Sequence, residues 1–120
     1  MKFAVAFAVA LSCASGAVVA AQHEVPPAQF AGAWAQGPAV VVDLRPGAVK
    51  PVLPGYCWHI NAASLIPVAR WAQSVGMPIL VVDHAQNTAV DVSRLAKAGI
   101  RQYLVLKGGV RNYRVAMRFG

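Results

Sequence analysis

Pro78-Ile79-Leu80-Val81-Val82-Asp83 is the stretch that sets the architecture of this chain. It is an apolar, β-branched run without alternation, closed by a carboxylate. A strand with one wet face alternates apolar and polar residues. A continuous apolar run of this length fits a strand covered on both faces, as in a parallel sheet. Upstream, Ala39-Val40-Val41-Val42-Asp43-Leu44 repeats the pattern, and Tyr103-Leu104-Val105-Leu106 supplies a third such run. Tyr56 to Ala62 reads as a further short, extended segment.

Helices are expected between these runs. Phe30, Ala31 and Trp34 fall at helical spacing within Ala28 to Gln36, before Gly37-Pro38. Leu65 to Val75 reads as a helix with Pro67 in its first turn, where a missing N–H costs little, and with Gly76 as its stop. Thr88 to Ala98 is a third, capped by Asn87 or Thr88 and stopped by Gly99. Val110 to Phe119 reads as a short basic helix after the Lys107-Gly108-Gly109 turn. His23 to Pro27 is a polar, Pro-rich lead-in, and Arg45 to Gly55 is a loop holding Pro46, Pro51 and Pro54. Strands alternating with helices predict one small α/β domain, with a mostly parallel sheet and helices on both faces. Ligands of such sheets bind beyond the carboxyl ends of the strands, which directs attention to Asp43, Asp83 and Lys107.

The chain has 120 residues, 58% hydrophobic and 12% charged, with a formal net charge of +7. The length suits one domain, and the composition excludes intrinsic disorder. Two cysteines, Cys13 and Cys57, exclude a disulfide-dense scaffold and a four-cysteine zinc site. Residues 1–21 carry Lys2, an apolar run from Phe3 to Leu11, and small residues through Val19-Ala20-Ala21. That is the pattern of a secretory signal peptide with cleavage after Ala21, leaving residues 22–120 as the domain. The expected location is periplasmic or secreted. A membrane anchor fits less well, because Ser12, Ser15 and Gly16 interrupt the segment. A lipidated Cys13 also fits less well, because Ala10 stands where a larger aliphatic residue is usual. Cleavage removes Cys13 and leaves Cys57 as the only cysteine.

Several ordered pieces of residues 22–120 resemble the rhodanese-like domain family. Val41-Val42-Asp43-Leu44-Arg45 is similar to its first strand with an Asp-x-Arg ending. Leu53-Pro54-Gly55 followed by Ile60-Asn61 resembles its Pro-Gly-Ala segment and the strand after it. Ile79 to Val82 resembles the strand that leads into the active-site loop. Ala96-Lys97-Ala98-Gly99-Ile100 and Val105-Leu106-Lys107-Gly108-Gly109-Val110 match best, with Tyr113 where the family usually has tryptophan. The resemblance implies the rhodanese fold and, for active members, persulfide sulfur transfer from a loop cysteine followed by glycine and arginine. Here that loop reads Asp83-His84-Ala85-Gln86-Asn87-Thr88, with Asp83 at the cysteine position. A carboxylate does not accept and release sulfane sulfur. The resemblance therefore implies a degenerate active site and a non-catalytic binding or regulatory module. The competing reading is a sulfurtransferase or thiol-dependent enzyme working through Cys57 or Asp83 with His84. An accessory subunit that needs a partner is a third.

The individual residues carry further expectations. Asp83 reads as a carboxylate capping the next helix, a built-in anion in the cradle that would otherwise hold persulfide or phosphate. The sharper alternative makes it a general base. His59, His84 and Asp83 would form an open metal site if the fold gathered them, but their spacing shows no ligand motif, so no metal and no cofactor are expected. Cys57 reads as a buried apolar residue, or as a thiol activated by His59 or paired in a disulfide-linked dimer. Arg111, Arg114 and Arg118 fall on one helical face. They read as a solvated face, or as a patch for an acidic protein, a small anionic ligand or an anionic membrane surface. Nucleic acid is not expected, since no stacking aromatics interleave with the charge. Trp34, Trp58 and Trp71 read as core or half-buried anchors.

Overall fold

In a computed structural model of the protein, residues 22–46 and 57–109 are described. Their strands are β1 (Glu24–Val25), β2 (Val40–Asp43), β3 (Trp58–His59), β4 (Ile79–Val82) and β5 (Tyr103–Leu106). Their helices are α1 (Pro27–Ala35), α2 (Leu65–Ser74) and α3 (Thr88–Lys97), with single 3₁₀ turns at Ala62–Ser64 and Ala85–Asn87. The signal segment with Cys13, the expected loop beyond Pro46, and the basic helix with Arg111, Tyr113, Arg114 and Arg118 lie outside the described residues.

The strands form one sheet in the order β1-β5-β4-β2-β3, and every pairing is parallel. The apolar runs are covered on both sides, as their lack of alternation requires. Val40, Val42, Ile79, Val81, Tyr103 and Val105 face one core with Leu65, Ala69 and Ala72 of α2 and Val92 and Leu95 of α3. Val41, Leu80, Val82, Leu104 and Leu106 face the other, with Phe30 of α1. The side-chain period of two sends neighbouring residues of each strand to opposite cores. Burial of each such side chain contributes roughly 1.5–3 kcal/mol.

Helix ends follow local chemistry. Gly76 and Gly99 take φ of +72° and +78° and terminate α2 and α3. In each the chain then folds back, with Met77 N–H donating to the Ala72 carbonyl and Ile100 N–H to the Leu95 carbonyl. Pro67 lies in the first turn of α2, as expected. Within the expected short extended segment of Tyr56 to Ala62 lies the two-residue β3, after which Asn61 caps a 3₁₀ turn through Ser64 N–H at 3.0 Å. One feature differs from expectation: the lead-in at His23 to Pro27 contains an edge strand, β1. Its register pairs Glu24 with Val105, and buried His23 donates from Nδ1 to the Tyr103 carbonyl at 2.8 Å while its ring stacks on Tyr103. Desolvation holds His23 below the ordinary histidine range, so it is neutral at pH 7.

Strand order reverses between β2 and β4: the chain leaves β2 for β3 on one side and returns through α2 to β4 on the other. The carboxyl ends of β2 and β4 flank that switch point, where open α/β sheets bind ligands.

Candidate functional site

Two buried aspartates end the neighbouring strands at the switch point. Asp43 is the last residue of β2, opposite Val82 of β4, and Asp83 follows Val82. Both are nearly sealed from solvent, at 6% and 3% exposure.

Asp43 is neutralised by an arginine two residues on. Arg45 Nη2 lies 2.7 Å from Oδ2, Arg45 Nε lies 3.1 Å from Oδ1, and the Arg45 N–H donates to Oδ1 at 3.0 Å. The guanidinium fork fits the carboxylate plane, which makes this a strong charge-assisted pair. His59, on the edge strand β3, donates from Nε2 to the Arg45 carbonyl. The aspartate, arginine and histidine thus tie β2 to β3.

Asp83 has no such cation among the described residues. Its Oδ1 accepts from the His84 N–H at 2.7 Å and, weakly, from Asn87 Nδ2 at 3.4 Å. The Asn87 position begins α3 without a side-chain cap. The helix-capping role expected of Asp83 is therefore not the geometry adopted. The 3₁₀ turn at Ala85–Asn87 intervenes, and the Asp83 carboxylate turns to a second carboxyl, Asp91, in the first turn of α3. Asp91 is also 3% exposed, and its Oδ2 has no hydrogen-bond partner. Burial, then the hydrogen bond to Asp83 and its charge, push the Asp91 carboxyl up to about 8, against a smaller opposing pull from Arg94. Burial thus favours the protonated form of Asp91.

The rest of the loop closes over this pair. Thr88 Oγ1 lies against the Glu24 carboxylate of β1 and 3.1 Å from the Ala85 carbonyl. Gly109, at φ +70°, presses its backbone onto the loop. A Cβ there would come within 2.6 Å of Ala85 N and 2.8 Å of the Asp83 carbonyl oxygen. A glycine is required by the approach and by the backbone angle together. His84, Ala85 and Gln86 are exposed on the outer side.

The other expected site residues are scattered. Among the described residues no group of three or more His, Cys, Asp or Glu side chains is placed to hold a metal. His59 is engaged with the Arg45 carbonyl. Cys57 is half-buried against the α1-side core. Desolvation, then the Asp43 charge, pushes its thiol up to about 11, so it is protonated at neutral pH. Of the tryptophans, Trp34 is half-buried against the α1-side core, as one of the two expected placements has it. Trp58 and Trp71 are 37% and 47% exposed and stack with centroids 5.7 Å apart. With Trp34, Pro38, Val41 and Met77 they line an apolar cavity of about 340 Å³.

Asp91 was the residue that sequence reasoning missed. Its signal was present but weak: Thr88, Asp91, Val92 and Leu95 share the buried face of α3, so a carboxylate sits on an apolar stripe. The spacing Thr88-x-x-Asp91 also resembles a capping box, which would assign it a different partner.

No protein-family model matches the sequence, and no curated protein matches it. Among solved structures, the fold is similar to that of a rhodanese homolog from the extremely thermophilic bacterium Thermus thermophilus. The TM-score is 0.52 at 22% identity, covering 74% of this chain and 98% of that one. At that identity the likeness is one of fold, and the fold is rhodanese-like.

Proposed function

We propose that this chain is an exported rhodanese-like domain that has lost sulfur transfer and serves as a binding or regulatory module. The observation that carries this reading is Asp83. It stands at the carboxyl end of the central strand, where the family resemblance would put a reactive cysteine. Its carboxylate is buried, bonded to the following N–H and, weakly, to Asn87 Nδ2. A carboxylate in that setting supplies neither a sulfur-accepting thiolate nor an open cradle for an anion. Cys57 does not replace it, because its thiol is held in the protonated form. The expected ligand is an acidic protein surface or a small anion, met by the net positive charge that remains after Lys2 is removed and by Arg111, Arg114 and Arg118. Export rests on the composition of residues 1–21.

The test is intact mass under non-reducing conditions, on protein recovered from a periplasmic extract and then exposed to thiosulfate with cyanide as acceptor. A chain beginning at Gln22, with unmodified Cys57 and no thiocyanate formed, is the expected result. One added sulfur on Cys57, or turnover, would return the protein to the enzymes. Alkylation of Cys57 supplies a second readout. Raising a thiol from 9.0 to about 11 leaves roughly a hundredfold less thiolate at pH 8, so iodoacetamide should react about a hundredfold more slowly than with a free thiol.

A further inference from the structure

We propose that the amino end of the sheet, together with the exposed side of α2, is a peripheral docking surface for an anionic lipid bilayer. It lies at the opposite end of the domain from Asp43 and Asp83. The inference stands whether or not sulfur transfer has been lost.

The first observation is where the charges fall. The chain has four acidic side chains, Glu24, Asp43, Asp83 and Asp91. Asp43 and Asp83 stand at the carboxyl ends of β2 and β4. Asp91 lies in the first turn of α3, and Glu24 meets Thr88 at the start of that helix. Three of the four are buried and Glu24 is half-buried. At the amino end the exposed charges among the described residues are positive: Arg70 of α2, Lys97 at the last residue of α3, and Arg101 ahead of β5. Arg101 N–H donates to Gln73 Oε1 at 3.0 Å, which sets it against α2. Lys97 complements the dipole of α3, but Arg70 sits mid-helix, where no helix end favours a cation.

The second observation is apolar. Trp58, Trp71 and Val75, the last at the C-cap of α2, are exposed. Arg70 and Trp71 share one exposed stripe of α2 with Pro67 and Ser74, at i, i+3, i+4 and i+7 spacing. The Trp58–Trp71 stack borders the apolar cavity. The described lining of that cavity reaches Pro38 and Met77, just ahead of β2 and β4, and carries no charged side chain.

Indoles beside cations, with the carboxylates held at the other end, match a headgroup layer. The rings enter at the acyl boundary and the cations meet the phosphates. Other occupants match less of this. A free inorganic anion has no use for the indoles, and a second copy of the chain would set like cations against one another.

The test is co-sedimentation of the protein, recovered as above, with vesicles of mixed phosphatidylglycerol and phosphatidylcholine, and with vesicles of phosphatidylcholine alone. Binding to the mixed vesicles only, weakening as salt is added, is the expected result, and no binding to them overturns the surface. Exchanging Arg70, Lys97 and Arg101 together for glutamine should weaken binding about a hundredfold, roughly fivefold for each charge. Lys107→Gln removes one charge at the far end of β5, roughly 20 Å from Arg101 against a Debye length of about 8 Å, and should change little. Equal losses for Arg101→Gln and Lys107→Gln would mean that net charge alone drives binding, and would overturn the surface. Phospholipids brominated along the acyl chain should quench the indole fluorescence of the bound protein. Binding without quenching, or binding to polyglutamate in preference to the vesicles, would assign these cations to an acidic protein and overturn the bilayer.

Discussion

Asp43 and Asp83 are nearly the same residue in sequence and opposite ones in the folded protein. Each closes a buried valine-rich run at the carboxyl end of a parallel strand, and the two strands are neighbours. Asp43 meets Arg45 in a bidentate ion pair, whereas the neighbour that Asp83 acts on is another carboxyl, Asp91, pushed up to about 8 by burial first and then by Asp83. One site is fixed in charge and ties β2 to β3. The other sets two buried carboxyls near each other beneath the Gly109 backbone. Burial alone therefore does not set a carboxylate's role; the sign of the partner does.

The severest disturbance of that contrast is Arg45→Ala. It leaves Asp43 buried without its cation and should lower stability by about 3–5 kcal/mol, read from the urea midpoint. Gly109→Ala attacks the other site from above. Backbone strain at φ +70° costs about 1–3 kcal/mol, and the contact with Ala85 N adds to it. Gly99→Ala has nothing within 4 Å of its Cβ and a similar φ, so it should cost only the strain; equal losses at the two positions would show that the close approach of Gly109 to Ala85 costs nothing.

Asp91→Asn should act in the opposite direction. Since the raised Asp91 carboxyl costs the folded state progressively between about pH 4 and pH 8, the variant should gain about 1–3 kcal/mol over wild type near pH 8 and nothing near pH 4. Denaturant titrations at the two pH values check the crossover. The smallest effect is expected away from both aspartates. Trp71→Ala removes the stack on Trp58 and should cost about 0.5–1.5 kcal/mol, with the pH dependence unchanged.

Much of this was legible in the residues. The apolar runs at Val40–Asp43, Ile79–Val82 and Tyr103–Leu106 marked their strands within a residue, and Gly76 and Gly99 marked the helix ends. These signals are local, because burial on both faces leaves no room for polar residues within a strand. β1 was not legible. A two-residue strand has no periodicity, and its partner, β5, lies near the far end of the chain. The tryptophans left core and half-buried open, because a large apolar side chain looks alike in sequence whether it faces the interior or a neighbouring indole.

The candidate site divides in the same way. The order of residues already says that a carboxylate, and not a thiol, ends the central strand, and that an Asp-x-Arg pair ends its neighbour. It took the packed fold to leave α3 without a side-chain cap, to bury Asp83 and Asp91 together, and to close Gly109 over the loop. Apolar burial is written in the order of residues along one element. The charge of a buried carboxylate depends on which groups other elements bring within hydrogen-bond reach, and that is settled only when strand, helix and turn pack together.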